Sequence, residues 1–289
     1  MPPPPDLLTH VILTPTAAVL SLTEPASTGI GGDMFCMYYN PTTRRVHSLN
    51  GSGRSPAALT TSHVLRTIPA DQLASSHNRI PDTHVHSVTV PGAAAGWCDT
   101  VEKFGSGKVT LAAVLAPAIE LAEEGVPISA ISAQMWADGE PALRHGSPNN
   151  CGEMLTPRGT SPREGERMRF PGLARTYRLL ARSGRRGFYE GEVARGIVAA
   201  VQERGGVMTM EDLKSHGEKG SEEVQPISIE IPWGADDAPG GGKRRVWECA
   251  PNGQGLVALQ ALGILEALQE RGVIPVLGSE GGYAHNSVE

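Results

Sequence analysis

Ser27-Thr28-Gly29-Ile30-Gly31-Gly32-Asp33-Met34-Phe35-Cys36-Met37-Tyr38-Tyr39 is the stretch on which the reading of the fold turns. Clustered glycines let successive backbone N–H groups point at an anion, so a phosphate loop is the first reading to test. The context argues against it. The glycines lead into the β-prone run Met34 to Tyr39 rather than a helix N-terminus, and neither Gly-Lys-Ser/Thr nor Gly-x-Gly-x-x-Gly completes a pattern. The stretch therefore reads as a tight turn feeding a core strand, with Asp33 accepting hydrogen bonds from that turn.

Working outward, Arg45 to Leu49 is a second β-prone run, and Asn40-Pro41-Thr42-Thr43 connects it to the first as a hairpin. Upstream, the small apolar residues 11–22 stop at Glu24-Pro25, which predicts a buried helix followed by a turn. Downstream, His86 to Val90 alternates and closes at Pro91-Gly92, predicting a third strand with a small-residue helix from Ala93. Leu111, Val114, Leu115, Ala118, Ile119 and Ala122 recur at helical spacing until Gly125. Pro171 opens a helix whose stripe is Leu173, Tyr177, Leu180 and Ala181, and Val193, Ile197, Val198 and Val201 form another. Thr209 and Asp212 have the spacing of a capping box, Ile227 to Ile231 and Val246 to Cys249 read as strands, and Leu256 to Glu270 reads as a long helix. The Pro-, Gly- and charge-rich segments 147–167 and 234–242 read as exposed loops. The class is α/β, with no internal repeat.

Composition bounds function weakly. The 289 residues can bury a substantial core, and 35 Gly and 23 Pro with 4% aromatics indicate a loop-rich chain. A net charge of −6 with mixed signs gives no nucleic-acid surface, and Lys243-Arg244-Arg245 reads as the solvated start of a strand. Cys36, Cys98, Cys151 and Cys249 match no metal-ligand spacing, and Cys36 and Cys98 read as buried thiols. The Pro-rich start has neither a basic region nor a long apolar core, so no signal peptide is visible. His84 and His86 would share a face of a strand, but no carboxylate or cysteine has matching spacing, so ordinary histidines are preferred over a zinc pair. Glu120, Glu123 and Glu124 read as a solvated helix face, and no serine lies in Gly-x-Ser-x-Gly.

Several blocks, in order, resemble the large subunit of γ-glutamyltranspeptidases. They are Glu24-Pro25 with Ser27 to Phe35; Gly51-Ser52-Gly53-Arg54-Ser55-Pro56-Ala57; Val88 to Gly92 with Gly96-Trp97; and Leu115 to Ile119 running into Leu121 to Gly125. Phe188 to Gly191, Gly205 to Leu213 and Ala250 to Gly255 complete them, so that the resemblance covers residues 16–289. It implies the αββα sandwich of the N-terminal-nucleophile hydrolases, with residues 1–289 as part of one domain. It also implies a precursor that cuts itself, freeing a threonine whose own α-amine serves as general base for its hydroxyl. That threonine attacks a γ-glutamyl or related small-molecule amide, and the acyl group passes to water or an amine. No metal, cofactor or nucleic acid is implied; the partner is the small subunit cut from the same precursor.

The resemblance also implies departures. The nucleophile is expected beyond Glu289, the N-terminus reads as cut, and the chain by itself is expected to be inactive. Family members of the γ-glutamyl type carry Arg-Glu-x-Ala-Pro, whose arginine clamps the substrate α-carboxylate. Aligned on Pro56, that position is Ser52, with Arg54 two residues on. Arg54 either reaches the same place or holds the turn, and the second is preferred. The Gly-Ser-Gly-Arg form resembles the divergent branch that includes cephalosporin-acylase-like members. The rival reading is a non-catalytic scaffold serving as an interaction module.

Overall fold

A computed structural model describes residues 13–146, 152–231 and 244–274. The chain divides into two compact units, one from residues before 35 and from 51–221, the other from 35–50 and the residues after 221.

The first unit is built on helices. In chain order they are α1 (Leu13–Thr23), α2 (Thr61–Thr67), α3 (Ala70–Ser75), α4 (Ala93–Phe104), α5 (Leu111–Glu124), α6 (Ala130–Gly146), α7 (Pro171–Ser183), α8 (Arg185–Tyr189), α9 (Gly191–Gln202) and α10 (Met210–Lys219). Helix α5 has the bounds its periodicity predicts. Thr110 caps it by accepting from the Ala113 N–H at 3.2 Å, Gly125 ends it, and its apolar stripe packs on α7 and α1. Removing such a stripe from water is worth about 25 cal/mol per Å² of apolar area, which is why the stripe, not propensity, fixes the helix. Tyr177 of α7 lies against Trp97 of α4, ring centroids 5.9 Å apart, and donates to the Ala18 carbonyl. Leu115, Leu180, Phe188, Tyr189 and Leu213 complete this core, while Trp136 stacks on Phe170 in a second one. The capping box of α10 forms in both directions: the Asp212 N–H donates to Thr209 Oγ1 and the Thr209 N–H to Asp212 Oδ2. Val126–Pro127 (β3) and Arg167–Met168 (β4) make a short antiparallel pair.

The second unit holds β1 (Met34–Asn40) and β2 (Arg45–Gly51), joined by a turn in which Asn40 Oδ1 accepts from the Thr42 and Thr43 N–H groups. With β5 (Glu222–Val224) they form one sheet in the order β1-β2-β5. β6 (Ile227–Ile231) and β7 (Arg244–Glu248) form a second, antiparallel one, on which α11 (Gly255–Glu270) packs. Arg245 of β7 pairs with Glu230 across that ladder and stacks on Trp247, in keeping with a solvated start of a strand.

Some expectations fail. His86 to Val90 is not a strand: a 3-10 turn spans Val85–Ser87, so His84 and His86 do not share a strand face. The turn wins because the His84 ring accepts the His86 N–H, a local bond that competes with an extended ladder. The loop 147–167 is only partly exposed where described. Leu155 and Thr156 are buried, and Glu140 accepts from the Ser161 N–H at 2.6 Å. Residues 234–242 lie outside the described residues. Cys36 and Cys98 are buried thiols, and burial pushes Cys98 up to about 12.

Candidate functional site

Three of the blocks singled out in the sequence meet in the first unit. The Gly92 and Ala93 N–H groups, opening α4, both donate to the Gly32 carbonyl, at 3.0 and 2.9 Å. The Val90 N–H donates to the Arg54 carbonyl at 2.9 Å, laying residues 51–54 along 89–92. This approach requires two glycines. A Cβ on Gly92 would run into the Gly51 oxygen, and one on Gly53 into the Val90 oxygen. The blocks are therefore parts of one backbone junction.

Asp33 pins that junction. Its Oδ1 accepts from the Gly53 N–H at 2.7 Å and its Oδ2 from the Ser52 hydroxyl at 3.3 Å. The sequence suggested that Asp33 would serve its own turn. Instead the turn closes through the Gly32 N–H on the Gly29 carbonyl, and the carboxylate serves the 52–53 segment.

Arg54 points elsewhere. Its Nη1 lies 3.1 Å from His216 Nδ1 and donates to the Gly220 carbonyl at 3.2 Å. A guanidinium only donates, so His216 Nδ1 is the acceptor and the ring proton sits on Nε2. His216 is neutral: burial first, and the Arg54 charge second, pull its value down to about 4. Its Nε2 is buried without a partner, and its ring lies 5.4 Å from that of Tyr189. Tyr189 is fixed in turn, donating to the Pro91 carbonyl at 2.7 Å and accepting from the Ala95 N–H at 3.0 Å, and burial raises its phenol pKa. Beside it, buried Asp99 accepts from the Ser221 N–H at 2.6 Å and pairs with Arg185, which also reaches Glu102 at 2.6 Å.

Ser52 and Arg54, the two candidates from sequence, are thus neighbours with different tasks. Ser52 bonds Asp33, and Arg54 joins the 51–54 segment to the end of α10. His216, Tyr189, Asp99 and Arg185 are additions. Asp99 left a trace in sequence, a carboxylate directly after the small and apolar run Ala93 to Cys98; His216 left none, because nothing in a one-dimensional pattern links 54 to 216. Glu123 is exposed and pairs with Arg178, a solvated use. Among the described residues no group of three or more His, Cys, Asp or Glu could hold a metal ion. What the arrangement can do is position: it fixes a guanidinium and a neutral imidazole against a rigid backbone junction, and the serines Ser52 and Ser221 both donate to carboxylates.

Comparison with known proteins gives concordant matches. The family model described as gamma-glutamyltranspeptidase matches residues 15–285. The glutathione hydrolase-like YwrD proenzyme of Bacillus subtilis (strain 168) is 34% identical over 251 residues, 86% of this chain and 43% of that protein. The oxamate amidohydrolase proenzyme of Klebsiella pneumoniae is 30% identical over 257 residues, 88% of this chain and 44% of that protein. The chain thus spans less than half the length of these relatives. Among solved structures, a cephalosporin acylase from Bacillus halodurans superposes with a TM-score of 0.71 at 36% identity, over 89% of this chain and 44% of that one. The Helicobacter pylori gamma-glutamyltranspeptidase has a TM-score of 0.75 at 22% identity, over 93% of this chain and 71% of that one, a likeness of fold.

Proposed function

The chain belongs to the γ-glutamyltranspeptidase family and has the N-terminal-nucleophile hydrolase fold, and from that premise we propose that it supplies the large-subunit part of an amide hydrolase or acyltransferase. The observation that carries this reading is the family match over 15–285 together with the convergence of its blocks on one junction around Asp33 and Arg54.

In this reading the nucleophilic threonine lies beyond Glu289, at the start of a small subunit released from the same precursor, as the proenzyme names of the relatives suggest. Its hydroxyl attacks the amide carbonyl and gives its proton to the threonine's α-amine, which passes it to the departing amine. The acyl-enzyme is then opened by water or by an amino acceptor. The substrate is a γ-glutamyl compound or a related small acyl amide. Arg54 is a holding residue rather than the carboxylate clamp: its bonds to His216 and Gly220 support this, as does Ser52 standing where the clamp is expected.

The test is expression of the chain with and without the downstream reading frame. The 289 residues by themselves should give no γ-glutamyl p-nitroanilide hydrolysis above a buffer blank. The extended protein should cut itself before a threonine and hydrolyse an amide. Turnover by the short chain that survives repurification would sink this reading; a stop codon at 290 would favour a scaffold that only binds partners.

A further inference from the structure

Outside this site, His63, His84 and His86 form a cluster of titratable side chains in the first unit. The His63 and His86 rings lie 5.1 Å apart edge to face, and those of His84 and His86 4.6 Å apart. His86 is 5% exposed, and its Nε2 is 2.9 Å from Thr67 Oγ1. The Thr67 hydroxyl gives its own proton to the His63 carbonyl at 2.8 Å. The imidazole must then be the donor, which places the His86 proton on Nε2 and leaves Nδ1 as a bare lone pair. That Nδ1 is buried without a partner, as is Nε2 of His63.

The cluster fastens a lightly held element. Residues 59–80 form an arm of two short helices, α2 and α3, neither of which buries a single residue. Leu59, Val64, Leu65, Leu73 and Ile80 instead line an open cleft of about 430 Å³. The buried side chain of the arm is Ile68, directly after α2, and beside it the bond from His86 to Thr67 joins α2 to the 84–88 turn. Four residues past His86, Val90 holds the Arg54 carbonyl.

We propose that the His63–His84–His86 cluster is an acid-sensitive latch, fastening the 59–80 arm to the 84–88 turn while the His86 imidazole is neutral and releasing it when His86 takes up a proton. A proton on His86 would go to Nδ1, where no acceptor meets it, beside two further imidazoles. Burial, then His84, then His63 hold its value below the ordinary 6.5. The turn after α9, whose Gly206 packs on Val85, carries Glu203 and Arg204, and Arg204 donates to the Ala200 carbonyl. With the arm released His86 binds its proton at the ordinary value, and with the arm fastened it does so only at lower pH. The latch is therefore at full strength above pH 6.5 and weakens as the pH falls below it, by at most about tenfold per pH unit for each proton coupled.

Hydrogen exchange on the 289-residue chain tests this, corrected for the intrinsic pH dependence of exchange. Between pH 6.5 and 5.5, peptides from 59–80 should lose up to about tenfold in protection while those from α4 hold theirs. His86→Gln, which still donates to Thr67 but cannot titrate, should abolish the loss. Should that variant leave the arm open at both pH values, His63→Phe decides: it keeps a ring against His86 and removes one charge, so the loss should become shallower. An arm indifferent to pH in the parent, or a loss unchanged in His86→Gln or in His63→Phe, would overturn the latch. None of these readings depends on catalysis, so they stand or fall separately from the proposed activity.

Discussion

Helices α5 and α11 have similar lengths and similarly apolar sequences, yet they are used differently in the two units. Helix α5, in the first unit, buries Val114, Leu115, Ala118 and Ala122 and turns its glutamates outward. Helix α11, in the second, is apolar nearly all round and buries only Leu259, with Val257 63% and Ile264 60% exposed. An amphipathic helix needs one neighbour; an all-apolar helix needs cover on several sides. Among the described residues the first unit therefore has the character of a finished core, and the second that of a core awaiting cover, which the proposed small subunit would supply.

The largest effect expected from this difference is in the finished core. Tyr189→Ala removes a buried ring and both bonds of its hydroxyl, to Pro91 and Ala95, and should cost about 3–5 kcal/mol in urea unfolding of the first unit. A cost below about 1 kcal/mol would mean that this core is loosely packed.

Acid provides the next test. The folded value of His216 is about 4 against an ordinary 6.5. An unfolded chain takes a proton as the pH drops through 6.5, while the folded chain resists until about 4. Its contribution is complete above pH 6.5 and is lost between those limits, roughly 3 kcal/mol in all. In His216→Asn the stability of the first unit should change less over that window. An identical acid profile would show that His216 is not the group responsible.

How much of this could be read in sequence divides along the same line. Periodicity and end signals located α5, α7, α9, the Thr209–Asp212 cap and the β1–β2 hairpin, because each depends on neighbours in sequence. Helices α2, α3 and α6 carry no such signal; α6 contains Gly139 and Pro141, both unfavourable in a helix interior, and Trp136 of this helix stacks on Phe170. The alternation His86 to Val90 misled because a ring-to-backbone bond set the local geometry. At the site, the Gly-Ser-Gly-Arg block was visible, but the partner that gives Arg54 its task lies 162 residues away. Contacts of that kind are set by the fold and leave no spacing to read.

Arg54 gives the third effect. Arg54→Ala leaves His216 Nδ1 and the Gly220 oxygen without this donor and should destabilise the first unit by about 1.5–3 kcal/mol. In an extended, processed protein the same variant should leave glutathione turnover low, as in the parent, while Ser52→Arg should raise it. Efficient parental turnover that collapses in Arg54→Ala would make Arg54 the clamp.

The smallest effect on stability belongs to α11, and it tests the comparison most directly. Ile264 is largely exposed, so Ile264→Lys removes little buried area and should shift the thermal unfolding of the chain by no more than about 0.5 kcal/mol. Its effect on association should be larger. Val257 and Ile264, seven residues apart, lie two helical turns along one face, an apolar strip largely exposed among the described residues, and such a strip should promote self-association of the chain. A lysine placed in that strip must be desolvated whenever two copies meet there, which opposes the contact. Sedimentation of the parent should therefore show concentration-dependent species that Ile264→Lys suppresses. A parent that stays monomeric, or a lysine variant that unfolds, would show that α11 already has its cover within this chain and that the second unit is as complete as the first.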